Sequence, residues 1–94
     1  MPIRLVVAGA GGRMGKAIIG LLSEYPQVSL VGALERDGHP DLGQEEAAGI
    51  RLSADVEKVL SGADLLIDFT SPSATLNHLR ICRKLGKGTF QILY

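Results

Sequence analysis

The strongest constraint on this chain is a glycine cluster set between two unlike patterns. Residues 3–8, Ile-Arg-Leu-Val-Val-Ala, are aliphatic apart from Arg4 and stop at Gly9. Such a run predicts a short buried strand. Gly9-Ala10-Gly11-Gly12-Arg13-Met14-Gly15 follows, after which Met14, Ile18, Leu21, Leu22 and Tyr25 recur at steps of three and four until Pro26. That spacing predicts an amphipathic helix stopped by proline. Glycines at 9 and 11 let the chain turn tightly and leave no Cβ between the backbone and a ligand. The helix beginning near Arg13 aims its unpaired N–H groups and the positive end of its dipole at the same place. A pyrophosphate suits that arrangement. Counted from Gly9, the usual third glycine falls on Met14 and Gly15 comes one residue late, so Gly-x-Gly-Gly-x-x-Gly is a variant spacing of the dinucleotide fingerprint. Glycine loops also occur as plain turns, so the loop alone does not settle its use.

The rest of the chain alternates in the same way. Residues 28–34 (Val-Ser-Leu-Val-Gly-Ala-Leu) predict a second strand. Residues 35–49 are polar, with Gly38, Pro40 and Gly43, and predict a long connection in which residues 44–48 form a single helical turn. A short helix is expected over 53–61, with Val56, Val59 and Leu60 on its inner face. A third strand is expected over 64–69. Ser71 is a capping residue and Pro72 suits the first helical position. Leu76, Leu79, Cys82 and Leu85 then mark an apolar stripe that Gly86 ends. Residues 89–93 predict a fourth strand. Strands alternating with helices give the α/β class: a Rossmann-like, doubly wound parallel sheet, incomplete, of about four strands in the order 3-2-1-4.

Composition narrows the partners. Ten Lys and Arg balance ten Asp and Glu, which argues against nucleic acid or a membrane surface, since both usually call for a basic excess. Trp is absent and only Tyr25, Phe69, Phe90 and Tyr94 are aromatic, so the core is expected to be aliphatic and no stacking platform for single strands is expected. The charge is uneven: residues 35–68 hold nine acids and three bases, whereas residues 69–94 hold Arg80, Arg83, Lys84, Lys87 and no acid. Solvated helix faces explain this most simply, and basic loops converging on a phosphorylated ligand would explain it too. The single cysteine, Cys82, makes neither an internal disulfide nor a metal site. No apolar run is long enough for a secretory signal or a membrane span, and a cytoplasmic location is expected.

A second signal supports the glycine loop. Glu35 stands 20 residues after Gly15 at the end of the second predicted strand, where an acid accepts hydrogen bonds from the adenosine ribose. Arg36 follows, and a guanidinium there pairs with a 2′-phosphate. The pair predicts tolerance of both NADH and NADPH. Asp68 ends the third predicted strand, where it can hydrogen-bond the following loop. His78 is expected on the surface or partly buried rather than in catalysis. His39 has no evident partner, and Cys82 belongs to the core. Three functional classes fit these residues: a reductase, a stand-alone nucleotide-binding module, and a methyltransferase, which would use the acid but not Arg36.

The chain resembles the dihydrodipicolinate reductase family, NAD(P)H-dependent enzymes of lysine and diaminopimelate synthesis. Three stretches carry the resemblance: Val7-Ala8-Gly9-Ala10-Gly11-Gly12-Arg13-Met14-Gly15; Gly32-Ala33-Leu34-Glu35-Arg36; and Asp68-Phe69-Thr70-Ser71-Pro72 with Ala74-Thr75-Leu76-Asn77-His78-Leu79, Cys82, Gly86 and Lys87. It implies that Gly9, Ala10, Gly11, Gly12, Arg13 and Met14 hold the pyrophosphate, Glu35 the adenosine ribose and Arg36 the 2′-phosphate. It also implies that Phe69 and Thr70 line the nicotinamide end. Thr75, Leu76 and His78 would be helix residues, and no catalytic or metal-binding residue is expected.

The resemblance covers roughly the first third of the family. Its Gly-Thr-Thr-Gly loop and the substrate-binding domain with a His-His-x-x-x-Lys segment have no counterpart in residues 1–94. The expectation is therefore a truncated dinucleotide-binding domain, inactive alone, that self-associates through the apolar strand at 89–93.

Overall fold

The computed structural model describes residues 2–91. Six strands and three α-helices follow one another as β1 (Ile3–Ala8), α1 (Arg13–Leu21), β2 (Val28–Leu34), β3 (Glu45–Ala47), β4 (Ile50–Ser53), α2 (Val56–Ser61), β5 (Leu65–Asp68), α3 (Pro72–Leu85) and β6 (Gly88–Gln91). The strands form one sheet in the order β3-β4-β2-β1-β5-β6. All neighbours run parallel except the β3–β4 pair.

The doubly wound class is as expected, and the strand count and order are corrected. Residues 50–53 form a strand, and Leu52 pairs with Ala33 of β2. Residues 45–47, expected as a helical turn, pair antiparallel with β4. The strand predicted third is therefore the fifth, and it lies beside β1 on the side away from β2. The physical reason is the weakness of the β4 signal. Four residues, Ile-Arg-Leu-Ser, put one fully buried side chain into the sheet, Leu52 at 2% exposure. Residues 92–93 of the predicted last strand lie outside the described residues.

β1 is buried on both faces and divides the core. Leu5 and Val7 belong to a cluster with Ala33 and Leu52, packed by Ile18, Ile19 and Leu22 from the α1 side. Val6 and Ala8 face the other way, with Leu34, Leu60, Leu66 and Cys82, packed by Val56, Val59 and Ile81. The alternation follows the two-residue period of a strand, and burial on both sides accounts for its continuous apolar run. Among the described residues every buried hydrophobic side chain is aliphatic or Cys82, as the composition implied. Each full burial of a Val or Leu stabilises the fold by about 1.5–3 kcal/mol.

Two helix faces differ from expectation. Of the face expected on α1, Ile18 and Leu22 do pack inward, joined by Ile19, while Met14, Leu21 and Tyr25 are exposed. On α3, Leu76 and Leu79 are exposed while Thr75, His78 and Cys82 face the sheet. Positions 75, 78 and 82 also have helical spacing, and a buried carboxylate described below turns that face inward.

Strand register positions the site. Ala8 lies beside Leu34 on one side and beside Asp68 on the other, and Leu34 lies beside Ser53. The carboxyl ends of four strands thus stand level. Between β1 and β5 the chain reverses its direction of travel across the sheet, and ligands of open α/β sheets bind outside the strand ends at such a switch point.

Candidate functional site

The loop after β1 is built by close backbone approach. Gly9 has φ +79°, a conformation that glycine adopts without strain. A Cβ there would also lie 3.2 Å from that of Phe69. Gly15 is the tightest position: a Cβ on it would meet the Gly9 carbonyl oxygen at 2.3 Å and the Ala10 Cα at 2.6 Å. That contact explains the late glycine. Gly15 seats α1 against its own entry loop, and the sequence reading did not count it among the site residues. The signal was present as the third glycine, displaced by one.

Gly12 is the N-cap of α1 and contributes no side-chain cap. The first N–H groups of this helix are therefore turned toward the sheet end without a side-chain acceptor. The start of α3 is different: the Ser71 hydroxyl accepts from the Ala74 N–H, and Pro72 opens the helix.

Glu35 leaves β2 beside this loop. Its Oε2 accepts from the Gly11 N–H at 3.1 Å, and its Oε1 accepts from the Arg36 N–H at 3.0 Å. His39 packs on the same glycine, with its Nε2 3.9 Å from Glu35 Oε2. A Cβ on Gly11 would come within 2.8 Å of the His39 ring. The His39 Nδ1 accepts from the Asp41 N–H at 3.1 Å. His39 thus has a defined seat that no local sequence pattern announces.

A third component stands at the end of β5. Asp68 is fully buried. Its Oδ1 accepts from the Thr70 N–H at 2.8 Å and from the Thr70 hydroxyl. Its Oδ2 meets the His78 Nδ1 at 2.8 Å. The Thr70 and Thr75 hydroxyls lie 3.4 Å apart. Burial pushes the Asp68 carboxyl up, but the hydrogen bonds from His78 and Thr70 outweigh it and hold the group below the ordinary carboxylate range. Asp68 does bond the loop that follows it, as expected, and it also draws in His78. At 6% exposure His78 is buried rather than superficial.

These components border one cavity of about 480 Å³. Of the residues singled out from the sequence, Gly9, Gly12, Glu35, Arg36, Phe69 and Thr70 line it, and Ala74, Asn77 and His78 close its far side. Ala10 is buried in the core behind the loop, while Arg13 and Met14 are exposed on the first turn of α1 and do not line the cavity. Gly11 touches the site through Glu35 and His39. Among the described residues no group of three or more His, Cys, Asp or Glu is placed to hold a metal ion. A pyrophosphate fits what is present: an uncapped helix start and a loop in which Gly9, Gly11 and Gly12 carry no Cβ.

Comparison with known proteins bears on the family and the fold. Residues 3–89 match the family described as dihydrodipicolinate reductase, N-terminus. A 4-hydroxy-tetrahydrodipicolinate reductase of Laribacter hongkongensis is 49% identical over 88 residues, which are 87% of this chain and 33% of that protein. One of Nitrosomonas europaea is 43% identical over 91 residues, 90% of this chain and 34% of that protein. The chain thus spans about a third of the length of these relatives. Among solved structures, a dipicolinate-bound dihydrodipicolinate reductase of Paenisporosarcina sp. TG-14 superposes with a TM-score of 0.80 at 20% identity, covering 99% of this chain and 38% of the other. RSP in complex with β-NADH gives a TM-score of 0.82 at 16% identity, over 98% of this chain and 46% of the other. At those identities the two structures speak for the fold alone.

Proposed function

The chain belongs to the dihydrodipicolinate reductase family, matching its N-terminal part, and from that premise we propose that it binds NADH or NADPH as the dinucleotide-binding domain of a 4-hydroxy-tetrahydrodipicolinate reductase. The bound nicotinamide would supply the hydride that, with uptake of a proton and loss of the hydroxyl as water, converts hydroxy-tetrahydrodipicolinate to tetrahydrodipicolinate, the cofactor leaving oxidised. The protein's part is to hold the cofactor. Gly9, Gly11 and Gly12 leave room for the pyrophosphate at the uncapped start of α1, with Arg13 and Met14 in the turn above and Ala10 behind. Glu35 accepts from the adenosine ribose, and Arg36 meets the 2′-phosphate. Phe69 and Thr70 form the opposite lip toward the nicotinamide. The substrate-binding and proton-donating groups belong to the portion of the relatives that this chain does not span, and the action is placed in the cytoplasm.

One observation carries the proposal: an uncapped, glycine-built helix start shares a single cavity with Glu35 and Arg36. Calorimetric titration with NADH and NADPH tests it. Arg36→Ala is expected to weaken NADPH by about 1.5–3 kcal/mol, through loss of a charge-assisted contact, and to leave NADH nearly unchanged. Equal losses for both cofactors would remove Arg36 from the 2′-phosphate. Absence of binding of either cofactor by the unaltered chain would defeat the proposal itself.

A further inference from the structure

The loop between β2 and β3 commits three hydrogen bonds to the placing of one histidine. The His39 N–H donates to the Arg36 carbonyl at 3.1 Å, its carbonyl accepts from the Leu42 N–H at 3.2 Å, and its Nδ1 accepts from the Asp41 N–H at 3.1 Å. Gly38, at φ +81°, closes the first of these turns. The far end of the loop is tied down, because the Gly43 N–H donates to the Leu52 carbonyl and Leu42 packs in the core on the α1 side. The bond at Nδ1 has a consequence. A ring nitrogen that accepts carries no proton, so the ring's N–H is at Nε2. That N–H has no hydrogen-bond acceptor among the described residues, and Glu35 Oε2 stands 3.9 Å from it.

Glu35 is confined as well. Its two oxygens accept from the Gly11 and Arg36 N–H groups, and the side chains of His39 and Glu35 are only 15% and 12% exposed. The His39 Cε1 and Nε2 and the Glu35 Oε2 meet at one point: all three lie within 3.0 Å of where a Cβ on Gly11 would be. A carboxylate confined in this way accepts from the hydroxyls of a ribose. It does not swing aside for a phosphate at the 2′-position, and two negative groups at close range repel.

We propose that His39 is a positioning residue for the choice of cofactor: its Nε2–H keeps the Glu35 carboxylate turned to the ribose and so tilts the site toward NADH, against the pull of Arg36 on the 2′-phosphate of NADPH. His39 acts through Glu35 and touches neither cofactor. The inference rests on the dinucleotide reading and adds to it a residue outside the glycine loop, the acid and the arginine.

Calorimetric titration of the 94-residue chain with NADPH and with NADH gives the ratio of the two dissociation constants. A merely structural role for His39 would weaken both cofactors and leave that ratio in place. His39→Phe keeps a ring against Gly11 without the N–H, which frees Glu35 to turn away, and the ratio should shift about fivefold toward NADPH. His39→Ala should shift it in the same direction. His39→Gln, whose amide nitrogen reaches as far as Nε2, should restore the original ratio. In a Glu35→Gln background no charge remains to be positioned, so adding His39→Phe should leave the ratio where Glu35→Gln alone puts it. Circular dichroism checks that each variant is folded. The inference is overturned, and the dinucleotide reading stands, if the folded His39 variants keep the original ratio, if they shift it toward NADH, or if the shift persists in the Glu35→Gln background. A shift toward NADH would mean that His39 donates to the 2′-phosphate itself. If the unaltered chain binds neither cofactor, both readings fall.

Discussion

The loops after β1 and β5 leave neighbouring, level strand ends, each opens a helix, and they are made of different materials. The first is made of backbone. Gly9, Gly12 and Gly15 work by lacking a side chain, and α1 starts without a side-chain cap. The second is made of side chains. Asp68 gathers two bonds from Thr70 and one from His78, and Ser71 caps α3. The contrast assigns tasks. N–H groups left without a side-chain acceptor are available to an anion, whereas a helix whose first turn is already capped is not. The loop after β1 is therefore the one open to an anion, as the proposed pyrophosphate site requires, and the loop after β5 is a fixed wall beside it.

Breaking the side-chain loop should have the largest effect on stability. Asp68→Ala removes the acceptor for three donors at a buried place, the Thr70 N–H, the Thr70 hydroxyl and the His78 Nδ1. The expected loss is about 3–5 kcal/mol in urea unfolding, because buried donors left unpaired keep their full desolvation penalty. A loss below about 1 kcal/mol would show that water or rearrangement substitutes for the carboxylate, and the wall would not be the fixed element described above.

The backbone loop should respond by position rather than by chemistry. In Gly15→Ala the new Cβ falls 2.3 Å from a carbonyl oxygen and 2.6 Å from a Cα. Neither is the tip of a flexible side chain, so α1 must shift, at a cost of about 3 kcal/mol. In Gly12→Ala the nearest atom outside the adjoining residues is 3.4 Å away, an ordinary contact. That variant should keep its melting temperature within a few degrees and lose cofactor affinity. Melting curves of the two variants decide the matter: equal losses of stability would mean that close packing, rather than room for a ligand, explains both glycines.

The same contrast explains what could be read in advance. The backbone loop was legible because its cause is local: a glycine needs no partner to have its effect, and seven consecutive letters after a strand pattern spelled turn and helix start. Glu35 was legible because sheet geometry fixes its distance from that loop. The second loop was legible only in its ends, Ser71 and Gly86, which act within one turn. Its centre was not. His78 sits ten residues from Asp68, and nothing in Leu76-Asn77-His78-Leu79 tells that histidine rather than leucine faces the sheet. The apolar stripe assigned to α3 held at Cys82 and Leu85 and failed at Leu76 and Leu79, where one buried carboxylate outweighed two leucines in setting the helix's rotation. Strand β4 was missed for a related reason. With one fully buried residue it draws its pairing from β2, not from its own pattern.

The opposite ends of the same two strands supply the control. Before β5 begins, Asp64 meets Arg4 of β1 in a two-pronged pair: Arg4 Nη2 donates to Oδ1 at 2.8 Å, and Arg4 Nε and backbone N–H both donate to Oδ2. Both side chains are about half exposed, 54% and 44%. The Arg4 hydrogen bonds pull the Asp64 carboxyl from 3.8 down to about 2. A carboxyl lowered in the folded state stabilises that state when ionised, so its contribution is present above about pH 4 and is lost as the pH falls toward 2. Arg4→Ala returns Asp64 toward its ordinary range. The urea midpoints of the variant and the unaltered chain should then differ most above pH 4 and converge near pH 2. The difference should be small even at its largest, because solvent screens an exposed pair. Asp68 titrates in both proteins and cancels from the comparison. A gap that stayed constant from neutral pH down to pH 2 would mean that Arg4 contributes through the packing of its stem and not through Asp64. A gap as large as that of Asp68→Ala would remove the distinction between a buried carboxylate that organises a loop and an exposed one that only ties two strand ends.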